Sequence, residues 1–188
     1  LWVASERWIV LAFGGGLFVV GALLSWQLFD HVQTRVDIWL DPFADPKGDG
    51  YQIVEASFAL ADGGLSGTGL GHGEPGRIPF VETDFIFAAI GEELGMAGSA
   101  AVLMAFLILV GSGLRIALRA SRIFDKLFAL GLTTLVGVQA FVIIGGVLRV
   151  VPLTGITLPF VSYGGSSLVA NYALLALLVR LSHEQRTA

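Results

Sequence analysis

The residues best able to do chemistry are carboxylates at the start of a long apolar segment. Asp84 stands in the run Glu82-Thr83-Asp84-Phe85, and Glu92 follows about two helical turns later. Carboxylates at membrane depth are expensive, so they usually face a water-filled cleft or a partner such as Arg149. On a continuous helix Glu92 would lie about 80° around from Asp84, near enough to share such a cleft. The alternative is that Thr83 and Asp84 cap the N-terminus of the helix, a position that both residue types favour.

A second candidate is the Pro- and Gly-rich run from Pro152 to Ser167. Irregular backbone at membrane depth is tolerated only where it is buried in protein or lines a cavity. Its end, Gly164-Gly165-Ser166-Ser167, predicts a helix start whose free N–H groups and hydroxyls suit an anion such as phosphate. The alternative is a re-entrant loop with a purely structural role.

Two other kinds of chemistry are poorly supported. The run from Gly71 to Gly76 matches G-x-G-x-x-G, but Pro75 and its setting in a loop argue against a dinucleotide site. His31, His72 and His183 have no metal-ligand spacing. We therefore expect no resident metal and no certain cofactor. A divalent cation at the outer acidic residues, or one carried by a phosphate substrate, stays open.

The composition shows what kind of chain must position these residues. Hydrophobic residues make up 55% of the 188, charged residues make up 14%, and mean hydropathy is +0.79. A soluble domain carries roughly 25% charged residues. The net charge of −4 argues against nucleic acid as a partner, and the lack of cysteine excludes a disulfide scaffold. The composition is typical of an integral membrane protein.

Four segments are long enough to cross a bilayer core of about 30 Å, which requires roughly 20 apolar helical residues. We expect them at about 8–27, 85–114, 127–148 and 164–181. The loops between them would cover about 28–84 and 149–163. The prediction is an all-α integral membrane protein, a polytopic helical bundle with one large extracytoplasmic loop.

Basic residues predict the orientation of these segments. The part of the chain at 28–83 holds three basic residues against nine acidic ones. By the positive-inside rule both termini are cytoplasmic and both irregular loops share the outer face of the membrane. The basic residues that carry the argument are Arg7, Arg115, Arg119, Arg122, Lys126, Arg180 and Arg186.

The long loop has structure of its own. Apolar residues near helical spacing in Tyr51–Asp62 predict a short amphipathic helix lying on the membrane, followed by a glycine-rich run. Gly91, Gly95 and Gly98 predict close packing of the second span against a neighbouring helix.

Three blocks of residues resemble a known family. They are Trp39–Pro42 with Gly50–Gln52 and Gly63–Gly71; Thr83–Ala88 with Gly91–Gly95; and Pro152–Gly155 through Leu158–Pro159 to Ser162–Ser167. The last two blocks, in this order and at this separation along the chain, are very specific to one family. From about Trp8 to Ser182 the chain resembles the SEDS proteins (shape, elongation, division and sporulation), represented by RodA, FtsW and SpoVE. The run Gly146-Val147-x-Arg149 resembles the RodA type, which serves elongation, more than the FtsW type, which serves division.

The resemblance implies the last four helices of a ten-helix fold. It also implies a peptidoglycan glycosyltransferase that polymerises lipid II beside a class B penicillin-binding protein, with Asp84 as the candidate catalytic residue. Many members read Pro-Glu-Ala-His-Thr-Asp where this chain reads Pro79-Phe80-Val81-Glu82-Thr83-Asp84, so no role is carried over to Phe80 or Glu82.

In the implied reaction a carboxylate takes the proton of the attacking sugar hydroxyl, and cations or helix N-termini stabilise the departing pyrophosphate. We assign Asp84 as the base, in an inverting transfer. The residues to which we assign substrate binding are Arg77, Thr83, Glu92, Arg149, Thr154, Ser162, Gly164, Gly165, Ser166 and Ser167.

Two other functions remain open. A lipid II flippase would use the broken fourth span and the outward acidic residues as a transport path. A non-catalytic membrane scaffold would dock a penicillin-binding protein through its helices. The flippase predicts that Asp84→Ala still moves lipid-linked precursor with unaffected polymer yield. The scaffold predicts that the same change is silent.

Overall fold

The computed structural model describes residues 8–187, with side chains to Glu184. Within that range every regular element is helical. The helices are α1 Trp8–Leu28, α2 Asp30–Leu40, α3 Tyr51–Gly63, α4 Ile86–Arg119, α5 Ile123–Val147 and α6 Gly165–Thr187, with single 3₁₀ turns at Pro42–Ala44 and Pro75–Arg77.

Four of these helices, α1, α4, α5 and α6, are long and apolar enough to cross a membrane. The expected all-helical fold with four such helices is therefore confirmed. The observed ends differ from the expected ones by a few residues, because α4 and α5 continue toward their basic connection. Arg7, which entered the orientation argument, lies outside the described residues.

The predicted amphipathic helix is present as α3. Ile53, Val54 and Ala56 on its inner face are buried, whereas Phe58 on the opposite face is 53% exposed. The helix α2 was not expected from the sequence, because its polar residues give it little apolar character. Both helices lie in the long loop between α1 and α4.

The core lies where α4 packs against α5 and α3, with α6 closing one side. Gly113 lets α4 approach α5 closely, since an added Cβ there would collide with Thr133. In contrast, α1 buries no residue, and its apolar side chains are exposed along its length.

The long helix α4 is broken at Gly95, whose backbone (φ 66°, ψ −162°) is not helical. We expected Gly95 to serve helix packing. Instead, it marks a break into which the chain at Gly63–Gly69 inserts, and a Cβ on Gly95 would collide with Gly67. Gly91 does serve close packing, because a Cβ there would collide with Leu60 of α3.

The loop between α5 and α6 is irregular, as predicted. From Val150 to Gly164 it contains no helix, and Gly155 and Phe160 adopt positive φ angles of 70° and 65°. Leu158 and Pro159 are fully buried, so this loop is held against the core.

Candidate functional site

Asp84 lies in a tight turn just before α4. Its backbone N–H donates to the carbonyl of Phe80 (3.3 Å), and Phe80 has a positive φ of 58°. The Asp84 side chain is partly exposed. No group in the described part of the chain donates a hydrogen bond to its carboxylate or forms an ion pair with it. The carboxylate is therefore held in place by its backbone and remains open to a ligand.

The helix-cap alternative for Asp84 and Thr83 is wrong. The helix begins at Ile86, its cap position is Phe85, and no side chain makes a capping hydrogen bond there. The hydroxyl of Thr83 donates to the carbonyl of Phe80 (2.9 Å). Asp84 therefore precedes the helix and does not stabilise its N-terminus.

The irregular loop holds the Asp84 turn through Ser162. The hydroxyl of Ser162 donates to the carbonyl of Thr83 and accepts from the N–H of Leu158 (2.8 Å). The next residue, Tyr163, donates its N–H to the carbonyl of Glu82 (2.8 Å). Ser162 is only 3% exposed. We therefore assign its hydroxyl to positioning the turn, whereas the sequence had suggested contact with substrate.

Gly155 places Asp84 beside a cation that our sequence assignment missed. A Cβ built on Gly155 would lie 3.3 Å from Oδ2 of Asp84 and 3.5 Å from Nη2 of Arg35. Nη1 of Arg35 donates to the carbonyl of Leu153 (2.9 Å). The neighbouring Thr154 is exposed at the same edge. The site therefore joins α2, the turn before α4 and the irregular loop.

The missed residue carried a signal in its spacing. Arg35 precedes Trp39 by four residues, which places both on one face of α2. The indole N–H of Trp39 donates to the carbonyl of Arg149 (2.9 Å), so this face is the one that meets the irregular loop. Sequence reasoning had counted Arg35 only in the charge balance of the long loop.

The two arginines expected at the site are engaged elsewhere. Nη2 of Arg149 donates to the carbonyls of Trp39 and Leu40 (both 3.2 Å), at the end of α2. Arg77 forms an ion pair with Glu74 and is 63% exposed. Neither forms a hydrogen bond or ion pair with Asp84 among the described residues.

Glu92 lies in a different environment from Asp84. It is 6% exposed, its Oε1 accepts from the N–H of Glu74 (2.8 Å), and its buried Oε2 has no hydrogen-bond partner in the described residues. A Cβ on Gly73 would lie 3.0 Å from its carboxyl carbon. The expectation of a shared cleft rested on one continuous helix, and it does not hold.

The start of α6 is partly tied down. Ser167 accepts hydrogen bonds from the Thr157 hydroxyl (2.7 Å) and from the Asn171 amide (3.2 Å). Gly164 is half-buried, whereas Gly165 and Ser166 are exposed. Within residues 8–184, no group of three or more His, Asp or Glu side chains is arranged to hold a metal ion.

Comparison with curated proteins finds relatives over almost the whole chain. The chain is 50% identical over 186 residues to the peptidoglycan glycosyltransferase RodA of Mycobacterium bovis, covering 99% of this chain and 40% of that protein. It is 39% identical over 183 residues to the probable peptidoglycan glycosyltransferase FtsW of Synechocystis, covering 96% and 47%. The higher identity to the RodA protein agrees with the resemblance to that type.

A solved structure shares the fold. Its subject is the structural coordination of polymerization and crosslinking by a peptidoglycan synthase complex. One of its chains superposes on this chain with a TM-score of 0.77 at 34% sequence identity. The match covers 98% of this chain and 52% of the other. This chain therefore spans about half, or less, of the length of these proteins.

The family model for FtsW, RodA and SpoVE, described as cell cycle protein, matches residues 1–187. That range includes the Asp84 turn, the glycine-rich run and the irregular loop. The chain belongs to the FtsW/RodA/SpoVE family of cell cycle proteins.

Proposed function

We propose that this chain is the C-terminal part of a peptidoglycan glycosyltransferase that polymerises lipid II into glycan strands, with Asp84 as the general base. The observation that carries the proposal is the Asp84 carboxylate, which is partly exposed, has no hydrogen-bond or ion-pair partner among the described residues, and lies beside the guanidinium of Arg35. The names of the relatives support the same activity. Since the chain spans less than half of those relatives, the activity belongs to the longer protein.

The proposed reaction is an inverting transfer. An acceptor sugar hydroxyl attacks the anomeric carbon of the donor and gives its proton to the Asp84 carboxylate. The new C–O bond forms as the bond from that carbon to the diphosphate oxygen breaks, and the electron pair leaves with the lipid diphosphate. An in-line attack converts an α-linked donor into a β-linked glycan. Such base assistance contributes about 10²- to 10⁴-fold to a rate.

The leaving group explains why one carboxylate can suffice. A diphosphate is already a good leaving group, so a second carboxylic acid is less necessary than in glycosidases. Its negative charge calls for hydrogen-bond donors or cations, and the exposed Thr154 and the start of α6 at Gly165 and Ser166 are candidates beside Arg35. A divalent cation carried by the diphosphate is compatible with this scheme.

Location and partners follow from the same proposal. Four apolar helices and the family membership support a multi-pass protein of the bacterial cytoplasmic membrane. We propose cytoplasmic termini, which put the Asp84 turn on the outer face where lipid-linked precursor is polymerised. The structural neighbour is a synthase complex, which favours a class B penicillin-binding protein as partner.

The experiment is lipid II polymerisation in detergent by the full-length parent with its partner. Asp84→Asn and Asp84→Ala are compared with Glu82→Gln, a neighbouring exposed carboxylate without a hydrogen bond to its side chain in the described residues. We expect glycan strands to fall by about 10²-fold or more for both Asp84 variants and to persist for Glu82→Gln.

Folding and partner binding are checked by monodispersity and by co-purification. Undiminished polymer from both Asp84 variants would show that Asp84 is not the base. If the wild type makes no polymer yet transports lipid II across vesicles, the flippase takes its place. If it does neither but still binds the partner, the scaffold does.

A further inference from the structure

We propose that Arg35 binds the diphosphate of the lipid-linked donor and stabilises it as it leaves. This inference rests on the proposed function, because it assigns the leaving group of that reaction to a named side chain. The ligand class is a diphosphate, carried by a lipid in the donor and in the released product.

The position of Arg35 is the first argument. Its Nη2 and Oδ2 of Asp84 both lie within 3.5 Å of the point where a Cβ on Gly155 would stand. Even so, the two side chains form no ion pair within 4.0 Å. The base and the cation therefore both lie beside Gly155 without forming an ion pair with each other.

The unused donors of Arg35 are the second argument. A guanidinium carries five N–H donors in a rigid fork that matches phosphate oxygens. Nη1 donates to the carbonyl of Leu153 (2.9 Å), which fixes the orientation of the group. In the part of the chain that the structure describes, Nε and Nη2 donate no hydrogen bond, and the residue is exposed. The group is thus oriented by one contact and keeps its other donors for a ligand.

The use of the other arginines is the third argument. Arg77 pairs with Glu74, and Arg149 donates to carbonyls at the end of α2. Of the three arginines considered for this role, Arg35 is the one whose charge stands next to Asp84.

The proposed step is balanced. As the acceptor oxygen bonds to the anomeric carbon, the bond from that carbon to the diphosphate oxygen breaks and its electron pair stays on the diphosphate. The proton of the acceptor hydroxyl goes to Asp84. Arg35 takes no proton; it donates hydrogen bonds to diphosphate oxygens whose negative charge grows during the step.

The experiment uses the full-length parent with its partner and compares Arg35→Gln, Arg35→Lys and the control Lys47→Gln, which removes an exposed positive charge from the same loop. Two quantities are measured: kcat/KM for lipid II polymerisation, and equilibrium binding of undecaprenyl diphosphate and of inorganic pyrophosphate. Binding is measured in the Asp84→Asn background as well, so it does not depend on turnover.

We expect Arg35→Gln to weaken binding of undecaprenyl diphosphate by about 10- to 100-fold, the size of a lost hydrogen bond to a charged group. The kcat/KM should fall at least as far. Arg35→Lys should recover part of both, because it keeps the charge and loses the fork. Lys47→Gln should match the wild type. Weakened pyrophosphate binding as well would show that the diphosphate is recognised without its lipid.

Undiminished binding in Arg35→Gln together with reduced turnover would overturn the proposal and leave Arg35 as a positioning residue for the loop at Leu153. If Arg35→Gln does not fold, Arg35→Lys decides the point, since a lysine can still donate to Leu153 and keeps the charge. Failure of the proposed function is a separate result: no polymer from the wild type, whatever the binding of undecaprenyl diphosphate.

Discussion

Two irregular stretches interrupt the helical structure, and they differ in whether the polar groups beside them have hydrogen-bond partners. The first, which we call the plug, comprises residues 63–73 and fills the break in α4. Backbone groups of the plug form hydrogen bonds with backbone groups of α4. The N–H of Met96 donates to the carbonyl of Gly64 (2.9 Å), and the N–H of Thr68 donates to the carbonyl of Glu92 (2.9 Å). The plug therefore supplies hydrogen-bond partners to backbone groups that the break in α4 leaves unpaired.

The second stretch is the irregular loop from Val150 to Gly164. The Ser162 hydroxyl anchors this loop to the Asp84 turn. Next to the loop, however, the Asp84 carboxylate and most N–H donors of Arg35 have no hydrogen-bond partner among the described residues. Buried polar groups are normally hydrogen-bonded, so unpaired charges at a rigid, open position are the more informative sign of function. Irregular backbone alone marks both stretches and therefore does not distinguish a site from a structural element.

The carboxylates repeat this contrast. Glu92 is buried, and its carboxylate accepts from the N–H of Glu74, directly after the plug. Asp84 is partly exposed and accepts no hydrogen bond in the described residues. If the contrast is correct, changes in the plug should act on folding, whereas changes around Asp84 should act on turnover.

Gly67→Ala should have the largest effect on folding. Gly67 has φ 81°, and an added Cβ would collide with the carbonyl of Glu93. Backbone strain and overpacking together should cost at least about 2 kcal/mol. The measurement is the yield of monodisperse full-length protein and its Tm in detergent.

Gly76→Ala is the matched control for Gly67→Ala, because a Cβ on Gly76 would meet nothing within 4 Å. Its yield and Tm should match the wild type. If Gly67→Ala folds and melts as the wild type does, the plug is not structural and the contrast between the two stretches is lost.

Much of this fold could be predicted because a bilayer imposes a length on apolar helices. The four long helices and the amphipathic helix α3 follow from apolar runs and helical spacing alone. The break at Gly95 could not be predicted that way, because its cause is a segment some 30 residues earlier in the chain that donates to and accepts from the interrupted helix. Hydropathy carries no information about such long-range pairing.

The site was only partly predictable for a similar reason. Asp84 and the irregular loop stand in recognisable motifs, so their importance could be inferred. Arg149 donates to a carbonyl near the end of α2, and Ser162 donates to the carbonyl of Thr83 in the Asp84 turn. Neither contact could be predicted, because each depends on which loops lie next to each other in the fold. Arg35 was overlooked because its spacing from Trp39 shows only that the two residues share a face of α2. Its position beside Asp84 becomes visible only when Gly155 of the irregular loop is placed next to both.

Ser162→Ala should have an intermediate effect, on the Asp84 turn. The change removes a hydrogen bond to the carbonyl of Thr83 and leaves the buried N–H of Leu158 without its acceptor. The loss should be about 1–3 kcal/mol in stability, and the misplaced carboxylate should lower kcat more than it raises KM for lipid II. The measurements are Tm and polymerisation kinetics of the full-length protein with its partner.

Ser66→Ala is the control for Ser162→Ala, because Ser66 is exposed in the plug and its hydroxyl makes no hydrogen bond in the described residues. It should leave kcat and Tm unchanged. If Ser162→Ala weakens lipid II binding with kcat intact, its hydroxyl contacts substrate, as the sequence had suggested, and does not position the turn.

Glu92→Gln should have the smallest effect, and it tests the contrast most directly. Glutamine has nearly the shape of glutamate and keeps an oxygen to accept from the N–H of Glu74, so stability should change by less than about 1 kcal/mol. Polymerisation should persist, whereas the same loss of a carboxylate in Asp84→Asn should abolish it. Glu92→Ala removes the acceptor and leaves a void, and it should cost about 1–3 kcal/mol.

Glu92→Gln, Glu92→Ala and Asp84→Asn together distinguish a carboxylate that stabilises the fold from one that takes part in the reaction. Glu92→Gln is the informative variant, because it removes the negative charge and retains a hydrogen-bond acceptor. Tm in detergent reports on the first use and the rate of glycan synthesis on the second. If Glu92→Gln stops polymerisation at an unchanged Tm, the buried carboxylate takes part in the reaction. The plug would then belong to the catalytic site, since its last residue, Gly73, lies against the Glu92 carboxylate.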